Sequence, residues 1–135
     1  IHVPKTDSTV GLFDLDRLKM MKPTAQIVNC ARGGIIDENA LLVALNDGII
    51  SGAALDVFEV EPIDPADPLL ELDNLIPLPH SVGGTAELYL GNGRGACQAA
   101  LDVFHGRAPQ HVVNQEVLER PGLKKKLKRY AEGSS

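Results

Sequence analysis

The stretch "AQIVNCARGGIIDENALLVALNDG", Ala25 to Gly48, carries two patterns in succession. A short apolar run ends at Asn29, and Arg32 then stands directly before Gly33 and Gly34. From Asp37 onward, Leu41, Leu42 and Leu45 recur at helical spacing. Asp37 is a candidate N-cap, because a short carboxylate can accept the amide protons that a first helical turn leaves free. Gly48 is the matching stop, since glycine tolerates the left-handed backbone that ends many helices. Strand, glycine turn and helix in this order make half of a βαβ unit.

The same alternation extends both ways. Further apolar runs lie at "IHV" (1–3), "GAALDVF" (52–58) and "LIPL" (75–78), giving about four expected strands. "DLDRLKMM" sets Leu15, Leu18 and Met21 on one helical face, with Asp14 or Asp16 as cap and Pro23 beyond its end. Short links between such elements predict an α/β fold with a parallel sheet and flanking helices. The proline-rich "VFEVEPIDPADPLLELDN" reads as a loop. Residues 85–104 read as one long helix, and "RAPQHVVN" as an extended segment. We place the first domain at 1–114 and a basic tail at 115–135, for which a solvated helix face and disorder are both open; the final "GSS" reads as disorder or a cloning remnant.

Composition narrows the function classes. The 135 residues are 44% hydrophobic and 23% charged, with a formal net charge of −5, which disfavours whole-surface binding to nucleic acid or anionic lipid. Cys30 and Cys97 lack zinc or disulfide-framework spacing, which fits a reducing, cytoplasmic setting and no metal. No run approaches the roughly 18 apolar residues of a membrane span, and no secretory leader is visible. The opening "IHVP" reads as the middle of a domain.

The chemistry collects at strand ends. In an open parallel sheet, ligands bind outside the carboxyl ends of the strands. Following each apolar run to that end gives Pro4 and Thr6, then Arg32, then Asp56 with Glu61 beyond it, then His80. Each has an ordinary alternative: a surface charge for Arg32 or Glu61, a structural network for Asp56, a polar loop residue for His80. Together they suit one reaction. A guanidinium grips a carboxylate in one plane, and a histidine beside a glutamate can give a proton to a developing alkoxide and recover it in reverse. The pairing suits interconversion of a hydroxy acid and a keto acid, with hydride supplied by a nicotinamide cofactor. The two glycines after Arg32 leave room for a close approach to ligand.

"HVPKT", "MMKPTAQIVNCARGGIIDENALLVALNDGIISGAALDVFEVEP" and "DNLIPLPHSVGGTAE" closely resemble the D-isomer-specific 2-hydroxyacid dehydrogenases, over about residues 1–114. The resemblance implies a partial Rossmann-like, doubly wound sheet, forming the C-terminal portion of a dinucleotide-binding domain. It implies Arg32 as the carboxylate clamp, Glu61 as the residue that orients and charges the histidine, and His80 as the acid/base. It also implies Asp56 bonding the nicotinamide carboxamide, with Val3, Pro4, Cys30, Ala31, Arg32, His80 and Gly83 at an NAD or NADP site. The family's G-x-G-x-x-G pyrophosphate turn has no counterpart: "GNGRG" at 91–95 has other spacing and lies within the long helix. The implied activity is therefore that of a longer parent, a cytoplasmic homodimer by resemblance, acting on a small 2-hydroxy or 2-keto acid. The alternative is a dinucleotide-gated binding protein similar to the corepressors that share this fold.

Overall fold

In the computed structural model, residues 1–133 are described; the expected disorder at Ser134 and Ser135 of the "GSS" end lies outside them. The chain divides into two compact units between Gly83 and Gly84.

The first unit runs α1 (Leu15–Lys19), β1 (Gln26–Asn29), α2 (Glu38–Asn46), β2 (Gly52–Leu55) and β3 (Leu75–Pro77). The three strands are all parallel, in the order β1-β2-β3. Both helix caps follow from local chemistry. Asp14 accepts the Arg17 amide at 2.9 Å, and Asp37 accepts the Ala40 amide at 3.0 Å. Gly48 takes a positive φ of 65° just beyond α2.

The sheet register explains the core. Ile27, Ala53 and Leu75 pair across the three strands and are buried, as is Leu55 one row further on. They share a cluster with Leu41, Ala44 and Leu45 of α2 and Leu18 of α1. Full burial of each leucine contributes about 1.5–3 kcal/mol. The alternate row, Val28, Ala54 and Ile76, faces the other way, and within this unit Val28 and Ile76 remain 50% and 63% exposed.

Residues 1–3 are not a strand. The Ile1 nitrogen donates to the Val28 carbonyl at 2.7 Å, but His2 and Val3 are exposed and Pro4 has no N–H to extend a ladder. Among the described residues the sheet therefore has three strands instead of about four. The proline-rich loop holds one turn of 3₁₀ helix, Pro68–Glu71, started by the Asp67 carboxylate accepting the Leu69 amide.

The second unit contains α3 (Ala86–Phe104), capped by Thr85, and α4 (Pro121–Gly133), which pack on one another. The basic tail is thus helical, with Leu123, Leu127 and Tyr130 half-buried along one side and the lysines in solvent. Gly91, Gly93 and Gly95 lie inside α3, where no phosphate-binding turn forms. Among the described residues no helix is long and apolar enough to cross a membrane.

Candidate active site

Three segments leave the carboxyl ends of the strands of the first unit, and each carries part of the site. After β1 the chain turns through Cys30, Ala31 and Arg32. The buried Asn29 side chain shapes this turn: its Nδ2 donates to the Arg32 carbonyl at 2.9 Å, and its Oδ1 accepts the Ala31 amide at 3.0 Å. Arg32 is exposed, its Nη1 donates to the Ala31 carbonyl at 2.6 Å, and among the described residues it has no carboxylate partner. Its charge is available to an anionic ligand.

Gly33 has a different reason from the one expected. A Cβ there would lie 1.7 Å from the Phe58 carbonyl oxygen, so the space is taken by the neighbouring segment. Gly34, with φ of 78°, makes the turn.

After β2, Asp56 is buried and Glu61 lies five residues on, in a tight loop. Glu61 is held from two sides: Oε1 accepts the Phe58 amide at 2.9 Å, and Oε2 lies 2.8 Å from His80 Nδ1. With the glutamate ionised, Nδ1 carries the proton of that bond, which leaves Nε2 outside it. An apolar recess of about 330 Å³, formed by Phe58, Pro62, Ile63, Leu78 and Pro79, lies against this pair. The Glu61 carboxyl is held below its ordinary value, first by the hydrogen bond to His80, then by the Phe58 amide, with the Arg32 charge adding to both. Arg32, Glu61 and His80 therefore act in one electrostatic neighbourhood.

A pH consequence follows. Because the folded-state value is depressed, the stability contributed by ionised Glu61 is present above its ordinary value of 4.5 and is lost as pH falls through the lower folded value. Side-chain ¹³C NMR titration of Glu61 is expected to give a midpoint below 4.5, returning toward 4.5 in His80→Ala. An unchanged midpoint in that variant would remove His80 as the cause.

After β3, His80 adopts φ of 52°, a left-handed conformation that costs a non-glycine residue about 1–2 kcal/mol. The two amides that follow it are anchored: Ser81 donates to Asp56 Oδ1 at 2.7 Å, and Val82 reaches both Asp56 oxygens at 3.1 and 3.2 Å. These donors explain how Asp56 can be buried.

Five of the residues expected at a cofactor site share one surface concavity. Val3, Pro4, Cys30, Ala31 and Arg32 line one concavity of about 740 Å³, together with His2 and Lys5. Val3, Pro4, Cys30 and Ala31 give it an apolar side and His2, Lys5 and Arg32 a polar one, a lining compatible with the flat nicotinamide end of a dinucleotide. Gly83, also expected there, is exposed at the end of the first unit and does not line that concavity. Sequence reasoning missed Asn29 and the Phe58 amide. The signal for Asn29 was a polar residue at an inward-facing strand position; a backbone donor leaves no signal.

Comparison with known proteins gives the same answer. Residues 1–82 match the family model described as D-isomer specific 2-hydroxyacid dehydrogenase, NAD binding domain. A glyoxylate reductase of Thermofilum pendens is 43% identical over 125 residues, which is 93% of this chain and 37% of that protein. A D-3-phosphoglycerate dehydrogenase of Methanocaldococcus jannaschii is 44% identical over 131 residues, covering 96% of this chain and 24% of the relative. The NADPH-dependent glyoxylate/hydroxypyruvate reductase of Sinorhizobium meliloti, solved with NADP and malonate, superposes with a TM-score of 0.70 at 35% identity, over 76% of this chain and 32% of that one. The chain thus spans about a third or less of the length of these relatives. With that family model matched over residues 1–82 of the 135 and relatives above 40% identical across nearly the whole chain, the chain belongs to the D-isomer-specific 2-hydroxyacid dehydrogenase family.

Proposed function

We propose that the complete protein carrying this chain interconverts a D-2-hydroxy acid and the corresponding 2-keto acid with NAD or NADP. The observation that supports this most is the 2.8 Å His80–Glu61 pair together with an Arg32 that has no carboxylate partner among the described residues. The Arg32 guanidinium holds the substrate carboxylate through paired N–H donors, fixing the carbonyl carbon in position. His80 Nε2 gives its proton to the carbonyl oxygen during reduction and takes it back from the hydroxyl during oxidation. Glu61 keeps Nδ1 protonated and balances the charge of the imidazolium. Val3, Pro4, Cys30 and Ala31 would hold the nicotinamide end of the dinucleotide, which would supply the hydride when bound.

The relatives that are glyoxylate reductases support glyoxylate as the keto acid to test first. Keto-acid-dependent loss of nicotinamide absorbance, followed in the complete protein with NADH and NADPH in parallel, tests the reading. Sustained turnover supports it; binding of dinucleotide without turnover of any short 2-keto acid contradicts it.

A further inference from the structure

Asn29 and Asp56 are the two polar residues of the described chain that are buried, at 2% and 4% exposure. They sit where adjacent parallel strands end, and the Asp56 amide donates to the Asn29 carbonyl at 3.0 Å. Each directs its side chain at the backbone beside one reacting group. Asn29 spans residues 31 and 32, closing a three-residue loop on the carbonyl of Arg32. Asp56 takes the amides of Ser81 and Val82, immediately after the left-handed His80.

The chemistry of these contacts gives them consequences. A backbone turn held by two bonds from one buried side chain has little freedom, so the root of the Arg32 side chain is fixed relative to the sheet. An unfavourable φ persists only when the surroundings over-determine it. Two amides gripped by a buried carboxylate do that for His80, and they aim its ring at Glu61. The backbone bond between the two strand ends joins both arrangements in one rigid block.

We propose that Asn29 and Asp56 are positioning residues, Asn29 for the carboxylate clamp at Arg32 and Asp56 for the acid/base at His80. This goes beyond the contact with the nicotinamide carboxamide that family resemblance implies for Asp56, and it rests on the proposed dehydrogenase activity. A role in folding alone would lower stability without separating the kinetic parameters. Positioning separates them, because each residue acts through a different partner.

The test uses the complete protein with glyoxylate and NADH or NADPH. Asn29→Ala is expected to raise the KM for keto acid roughly ten- to a hundredfold while leaving cofactor affinity within about twofold, as misplacement of a substrate-holding group does. The double variant Asn29→Ala with Arg32→Ala should then be no worse than Arg32→Ala, because both act through one guanidinium. Affinity for oxamate, measured calorimetrically, should fall in parallel with the rise in KM. Asp56→Asn, which keeps one acceptor oxygen, should lower kcat instead and move the Glu61 NMR titration midpoint toward 4.5, while Asn29→Ala leaves that midpoint depressed. If Asn29→Ala does not fold, Asn29→Ser, which retains a hydroxyl able to accept the Ala31 amide, should show a smaller rise in KM of the same kind. Additive losses in the double variant, or equal losses of keto acid and cofactor affinity, would overturn the role of Asn29. An unmoved Glu61 midpoint in Asp56→Asn would overturn that of Asp56. Failure of Arg32→Ala itself to affect keto acid binding would instead count against the dehydrogenase reading.

Discussion

Replacing His80 with glutamine in the complete protein is expected to lower kcat about 10²–10⁴-fold, the usual contribution of a positioned acid/base. Glutamine can still hydrogen-bond to Glu61, so the loop around it loses little. What it cannot do is release a proton to the carbonyl oxygen as the hydride arrives. The KM for keto acid and the dissociation constant for dinucleotide should therefore change much less than kcat. Glu61→Gln should give a loss in the same direction, because the neutral amide no longer balances the imidazolium, although its oxygen can still accept the Phe58 amide now 2.9 Å away. Steady-state kinetics over a range of keto acid concentrations separate these effects. A His80→Gln variant with wild-type kcat would remove His80 from the chemistry.

Arg32→Ala is the second large loss, and it falls on binding. Two charge-assisted hydrogen bonds to a carboxylate contribute about 1.5–3 kcal/mol each, so their removal should reduce kcat/KM by about 10²–10⁴-fold. The loss should appear mainly as a raised KM, with dinucleotide affinity kept, because the concavity of about 740 Å³ is walled by several other residues besides Arg32. Arg32→Lys should recover only part of it, since an ammonium restores charge without the planar pair of donors. Unchanged kcat/KM for keto acid in Arg32→Ala would show that the carboxylate is held elsewhere.

Much of this arrangement was legible in the sequence because its causes are local. Asp37 before a helical repeat reads as a cap from its chemistry alone, and it accepts the Ala40 amide as expected. The apolar runs at 25–29, 52–58 and 75–78 each contain a strand, and strand ends in a parallel sheet point to one rim. Glu61 and His80 lie 19 residues apart, yet both follow strand ends and so were expected at one rim, with the family resemblance adding their roles. The rest depended on contacts that no local pattern encodes. Residues 1–3 have strand-like composition, but a strand exists by pairing, and only Ile1 makes such a bond. Gly33 read as clearance for a ligand, whereas the Phe58 carbonyl, 25 positions away in sequence by residue number, occupies that space. Asn29 looked like the end of a strand because its partners are backbone atoms, which have no identity to read.

The most direct test is the fate of the hydride. The complete protein is supplied with glycerate-forming and lactate-forming keto acids, hydroxypyruvate and pyruvate, and with reduced dinucleotide carrying deuterium at both hydrogens of its reacting carbon. Mass and chirality of the products are then determined. The account predicts, for whichever keto acid turns over, a D-2-hydroxy acid with one deuterium at C2, formed by the wild type and strongly diminished in Arg32→Ala and His80→Gln. An L-product, an unlabelled product, or labelled product formed equally well by both variants would contradict it.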